Sequence, residues 1–93
     1  MRLDGKVRLE NGKLIQNKDG KEVPDDEFIV FRPHDNCIVP LLVRYRALCE
    51  ENGSAPEQVS AVDALIDRVA GWRAAHPERC KTPDVEPGEI RTE

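Results

Sequence analysis

Apolar residues are distributed along this chain in three distinct ways: scattered between turns, packed into one dense cluster, and spread at helical spacing. The first third is divided by Asp4-Gly5-Lys6, Asn11-Gly12-Lys13 and Asp19-Gly20-Lys21. Asn-Gly and Asp-Gly pairs reach positive φ at low steric cost, which two-residue hairpin turns require. Short apolar runs lie between them, Val7–Leu9 and Leu14–Ile15. The spacing predicts strands at about 6–10 and 13–17, joined at Asn11-Gly12, with Glu10 and Lys13 as an opposite-charge pair beside the turn. Pro24-Asp25-Asp26 interrupts this pattern. Glu27-Phe28-Ile29-Val30-Phe31-Arg32 then forms the densest cluster, aromatic and β-branched, with no polar residue from Phe28 to Phe31. It predicts a third strand at about 27–32, apolar on both faces and ended by Pro33.

Beyond Pro33 the period changes. Ile38, Leu41, Leu42, Tyr45, Leu48 and Cys49 recur at helical spacing, with Arg44, Arg46, Glu50 and Glu51 between them. A helix is expected over 36–52, with Pro40 tolerated in its first turn and Asn52-Gly53 at its end. Ser54-Ala55-Pro56-Glu57 has the spacing of a capping box. Val59, Val62, Leu65, Ile66, Val69 and Trp72 continue a second helix over 55–76, stopped by Pro77. So short a connection makes the pair an antiparallel hairpin. The expected fold is α+β: a three-stranded antiparallel meander covered by the helical hairpin, with Phe28 or Phe31 meeting Tyr45 and Trp72.

Length allows one domain, at roughly 100–200 residues per domain. That domain is expected over 1–81, followed by an acidic, flexible tail over 82–93, where Val85 and Ile90 are the only aliphatics. The net charge of −4 resides largely in that tail, which sets Arg91 against Asp84, Glu86, Glu89 and Glu93. The remainder is nearly neutral, which argues against direct nucleic-acid binding through a basic face. The longest apolar stretch, Cys37–Val43, is far below the roughly 20 residues of a membrane span. The chain opens on no charged leader with an apolar core, and three cysteines suit a reducing compartment. A cytoplasmic location is expected.

Candidate chemistry is sparse. His34-x-x-Cys37 lies at the start of the first helix and His76-x-x-x-Cys80 at the end of the second. In an antiparallel hairpin those ends are neighbours, so His34, Cys37, His76 and Cys80 are candidate ligands for a closed tetrahedral zinc site. The plainer reading makes Cys37 and Cys49 small core residues, Cys80 a turn residue and both histidines surface groups. A Cys–His nucleophile has no oxyanion donor or deep cleft to accompany it. The Gly-Lys pairs lack the spacing of a phosphate loop, and Asp25-Asp26-Glu27 lacks the alternation of a calcium loop. Glu57, Asp63 and Asp67 form at most a weak acidic stripe, and Arg46–Glu50 is an i,i+4 pair. No catalytic set and no resident cofactor are expected.

From Pro24 onward the string has a further character. Acids precede Phe28-Ile29-Val30-Phe31-Arg32, then come His34-Asp35, a proline-containing helix ending Tyr45-x-x-Leu48-Cys49, Ala61-Val62-Asp63, Trp72 and Lys81-Thr82-Pro83-Asp84. This resembles short uncharacterised proteins encoded by tailed phages of actinobacteria, the mycobacteriophage kind, over roughly residues 24–84. The resemblance implies an accessory protein acting in an infected bacterium, and it brings no functional residues with it. The expected function is therefore non-enzymatic: protein–protein binding to a host factor or to a second copy as a homo-oligomer. The alternatives are a zinc-stabilised module, an acidic decoy of a nucleic-acid-binding host protein, and a minor virion component.

Overall fold

The computed structural model describes residues 3–90 of the 93-residue chain. A 3-10 turn at Leu3–Lys6 leads into β1 (Val7–Glu10), which pairs antiparallel with β2 (Lys13–Gln16). Asn11 and Gly12 both have positive φ, 53° and 76°, as the two-residue turn between these strands demands. The register sets Glu10 opposite Lys13 and Leu9 opposite Leu14. Glu10 and Lys13 thus flank the turn as unlike charges, as expected, while their ion pairs are made elsewhere: Glu10 with Arg8 at 3.1 Å and Lys13 with Glu22 at 3.4 Å.

The third place beside β2 is not taken by residues 27–32. The Asp19-Gly20 turn, with Gly20 at φ 73°, returns the chain so that Glu22 bridges Ile15. Val23 donates its N–H to Leu14 O at 2.8 Å, and Gln16 donates to Lys21 O at 2.8 Å. That contact is a single bridge, so the sheet has two strands and the expected three-stranded meander does not form. Pro24 and the 3-10 turn Asp25–Glu27 then direct the chain off the sheet, with Glu27 N–H closing on Pro24 O at 2.9 Å. Phe28 leaves the turn extended, at φ −141° and ψ 158°. The segment 28–32 has a strand's conformation at its start but no strand beside it.

The helices form where the 3.6-residue period places them. α1 spans Ile38–Glu51 and α2 spans Pro56–Ala75, each slightly shorter than expected. Pro40 occupies the first turn of α1, where its missing N–H costs little. The end of α1 is closed by Gly53 at φ 74°: Gly53 N–H bonds Glu50 O at 3.1 Å and Ser54 N–H bonds Cys49 O at 2.9 Å. This is the paired-bond ending that a left-handed glycine makes possible. It also removes the expected capping box. Pro56 opens α2, which makes Ala55 the cap, and Ser54 is already committed to closing α1.

The core sits between the helices. Ile38, Cys49, Ala61, Val62 and Val69 are buried, Val62 completely. α2 packs along α1 and also meets the N-terminal turn, where Lys6 Nζ donates to Gln58 Oε1 at 3.3 Å. The radius of gyration is 15.1 Å, against about 12 Å for a compact chain of this length. Much apolar surface therefore faces outward. Of the tail, residues 82–90 have neither helix nor strand and are exposed, while 91–93 lie outside the described residues. No described helix is long and apolar enough to cross a membrane.

Candidate interaction surface

Two chain segments that the sequence leaves unrelated meet beside the end of α2. Asp35 and Lys81 form a parallel bridge: Lys81 N–H donates to His34 O and Asn36 N–H donates to Lys81 O, both at 2.9 Å. Arg73 of α2 holds this junction from beneath. Its Nη1 donates to Pro33 O at 3.1 Å and Asp35 O at 3.0 Å, and its Nη2 donates to Asn36 Oδ1 at 2.9 Å. A guanidinium fork suits this role because its donors point in fixed directions toward several acceptors at once. In sequence Arg73 reads only as a surface charge; its position four residues before the breaking Pro77 pair, His76-Pro77, was the one available signal.

The junction brings His34 and Cys37 to the same end of the hairpin as His76 and Cys80, as the hairpin topology requires. Their ligand atoms do not converge. Among the described residues, the one set of three or more His, Cys, Asp or Glu groups with ligand atoms within 4.8 Å of one another is Asp84, Glu86 and Glu89, all exposed. Tetrahedral zinc needs four donors at about 2.0–2.3 Å from one centre. Two of the four side chains are otherwise engaged. His76 stacks on Trp72 with ring centroids 4.5 Å apart, and its Nδ1 lies 2.9 Å from Trp72 O. Arg79 covers the same indole at 5.3 Å. Cys80 Sγ lies 3.5 Å from His76 O. Cys37 is exposed rather than a core residue, its backbone N–H donating to Asp35 Oδ1 at 2.7 Å; Cys49 is buried. His34 Nδ1 is buried without a hydrogen-bond partner.

The acidic stripe is also partly neutralised. Asp63 receives Arg46 Nε at 2.5 Å and Nη2 at 3.3 Å, and Arg46 reaches Glu50 as well, the expected i,i+4 pair. The hydrogen bond from Arg46 to Asp63 raises the guanidinium above its ordinary value. Lys81 is raised likewise, first by Asp84. Among the described residues Tyr45 makes no ring contact with Phe28 or Phe31; Gln58 Nε2 donates to its hydroxyl at 3.4 Å across the hairpin. The Tyr45 hydroxyl is raised above its ordinary value, mainly by hydrogen bonding with Cys49 and then by burial.

The largest unsatisfied feature is the segment after the Asp25–Glu27 turn. Ile29 is 83 % exposed, Val30 72 %, Phe31 57 % and Phe28 37 %. Such residues are usually among the most buried, so contiguous exposure of four is an uncommon surface feature. Concavities flank the segment. One of about 480 Å³ runs along the helices, where Ile29 and Phe31 share walls with Ile38, Leu65, Val69 and Trp72. Another of about 660 Å³ runs along the sheet, where Phe28 and Val30 join Leu9, Leu14 and Val23. Among the described residues, no backbone–backbone hydrogen bond involves Phe28, Ile29, Val30 or Phe31. No family model matches the chain, and no curated protein or solved structure matches it.

Proposed function

We propose that this chain is a non-enzymatic accessory protein of the phage type, working by binding another protein chain through the segment Phe28–Arg32. One observation carries this reading: four consecutive large apolar residues stand exposed on backbone that leaves the turn extended and makes no backbone–backbone hydrogen bond among the described residues. Leaving such a segment in water costs apolar hydration and invites edge pairing, so a chain that keeps it gains by docking it. Peptide-like recognition through an added strand uses both parts, main-chain hydrogen bonds for affinity and flanking pockets for alternate side chains. The concavities along the helices and the sheet supply pockets on either side. Arg73 supports the surface indirectly by fixing Pro33 and Asp35, the residues that follow the segment.

The test is site-specific photo-crosslinking in an actinobacterial host. A photoreactive phenylalanine analogue at position 29 is expected to give discrete adducts with a protein chain, whereas the same residue at exposed Glu51 gives none. Equal background at both positions would remove the reading.

A further inference from the structure

The docking reading names a surface; the charge order along that surface names its occupant. We infer that Phe28–Arg32 pairs antiparallel with the same segment of a second copy of this chain, making a two-fold homodimer joined by a continuous strand pair. This rests on the proposed docking role and identifies the partner.

The segment is flanked by unlike charges. Asp25, Asp26 and Glu27 precede it and Arg32 ends it. A parallel pairing of two copies would set acids against acids and arginine against arginine. An antiparallel pairing sets the acidic end of each copy beside the other's arginine, and like charges directly opposite are unfavourable. Two-fold symmetry narrows the register further. Its axis stands perpendicular to the strand pair, so one residue must face its own copy. Centred on Ile29, the pairing would bring Asp26 opposite Arg32, but Asp26 lies inside the 3-10 turn Asp25–Glu27 and is not free to join a ladder. Centred on Val30, it sets Phe28–Arg32 against the same five residues, with Arg32 of each copy opposite Phe28 and beside the other copy's acidic turn. The turn favours the second. Pro33, which has no N–H, then marks the end of the ladder.

Size sets the strength. The exposed fractions of Phe28 to Phe31 amount to roughly 500 Å² per copy, hence about 1,000 Å² for the pair, the lower limit of a specific interface. The dimer is accordingly a weak one, with a Kd in the micromolar range, formed from two copies that fold separately around Val62.

The test is sedimentation equilibrium of the purified full chain between about 1 and 500 µM, a span centred on micromolar affinity. The expected result is a mass rising from 10.5 kDa toward twice that value. Ile29→Lys should weaken association at least about tenfold, with an unchanged circular dichroism melt as the check on folding. Arg32→Glu should weaken it as well, and the double variant E27K/R32E should recover part of the loss, because it returns unlike charges to the two ends that meet. A dimer insensitive to Ile29→Lys, or one that E27K/R32E leaves as weak as Arg32→Glu alone, overturns the inference. A chain that stays monomeric while position 29 still crosslinks a different protein also overturns it and leaves the docking reading standing. A monomer with no adduct at position 29 removes both.

Discussion

The helical hairpin and the segment Phe28–Arg32 are built from similar apolar residues and meet opposite fates. In α1 and α2 every interior backbone group bonds within its own helix, so burial needs only that two stripes face each other across a short connection. Val62 then reaches 0 % exposure. Phe28–Phe31 leaves its turn extended, and extended backbone pairs only with a neighbouring strand or with water. No backbone–backbone bond among the described residues reaches these four, and Ile29 remains 83 % exposed. Hydrophobicity alone therefore does not say where a residue ends up. The location of the hydrogen-bond partner decides it.

Substitutions can break this contrast at either end. The largest effect is expected from Val62→Asp, which places a charge at the one fully buried large side chain among the described residues; a loss of about 4 kcal/mol or more would rival the whole stability of so small a domain. Circular dichroism should show an unfolded chain at 25 °C, and a cooperative melt would contradict the assignment of the core. Arg73→Ala comes next. It removes the donor to Pro33 O and Asn36 Oδ1 and one of two donors to Asp35 O, which keeps the Ile38 N–H, and should cost about 2 kcal/mol in urea unfolding, with Arg73→Lys recovering less than half because an ammonium cannot span the same acceptors. Gly53→Ala should cost about 1 kcal/mol, since an alanine at φ 74° is strained although its Cβ meets open space.

At the other end, Ile29→Lys should move the unfolding free energy by no more than about 0.5 kcal/mol, because it removes a side chain that the folded monomer leaves in water. A loss several times larger in dilute protein would place Ile29 inside the monomer's own core. The finest test concerns Tyr45, the only tyrosine in the chain, whose phenolate absorbance can be followed alone. Its titration midpoint should lie above 10.0. Because the folded value is the higher one, the contribution of Tyr45 to stability is complete below the unfolded value near 10 and is lost as pH rises through the folded value. A midpoint at or below 10.0 would mean that the hairpin leaves this hydroxyl free of Cys49.

Much of this was legible beforehand. Asn11-Gly12 marked the β-hairpin turn, and the two amphipathic stripes marked α1 and α2 to within two residues, because turns and helices depend on neighbours in sequence. Three expectations failed for the same reason. The capping box at Ser54 depended on how α1 ended. The third strand depended on whether residues 27–32 or Glu22 reached β2 first. The meeting of Tyr45 with the phenylalanines depended on the path of the chain after Pro24. The candidate surface was half legible: the apolar run was plain, but its exposure was not.

What the amino-acid order determined by itself is the set of local pieces: one tight hairpin, two helices closed by Gly53 and Pro77, and an extended apolar run ended by Pro33. Only the tertiary structure decided that Arg73 ties residues 33–36 to α2, that the histidines and thiols stay apart, and that the apolar run stands outside the sheet. Dihedral preference and periodicity act over a few residues and are written in the order. Which distant groups meet depends on competition among partners across the whole chain, and no short stretch of sequence records its outcome.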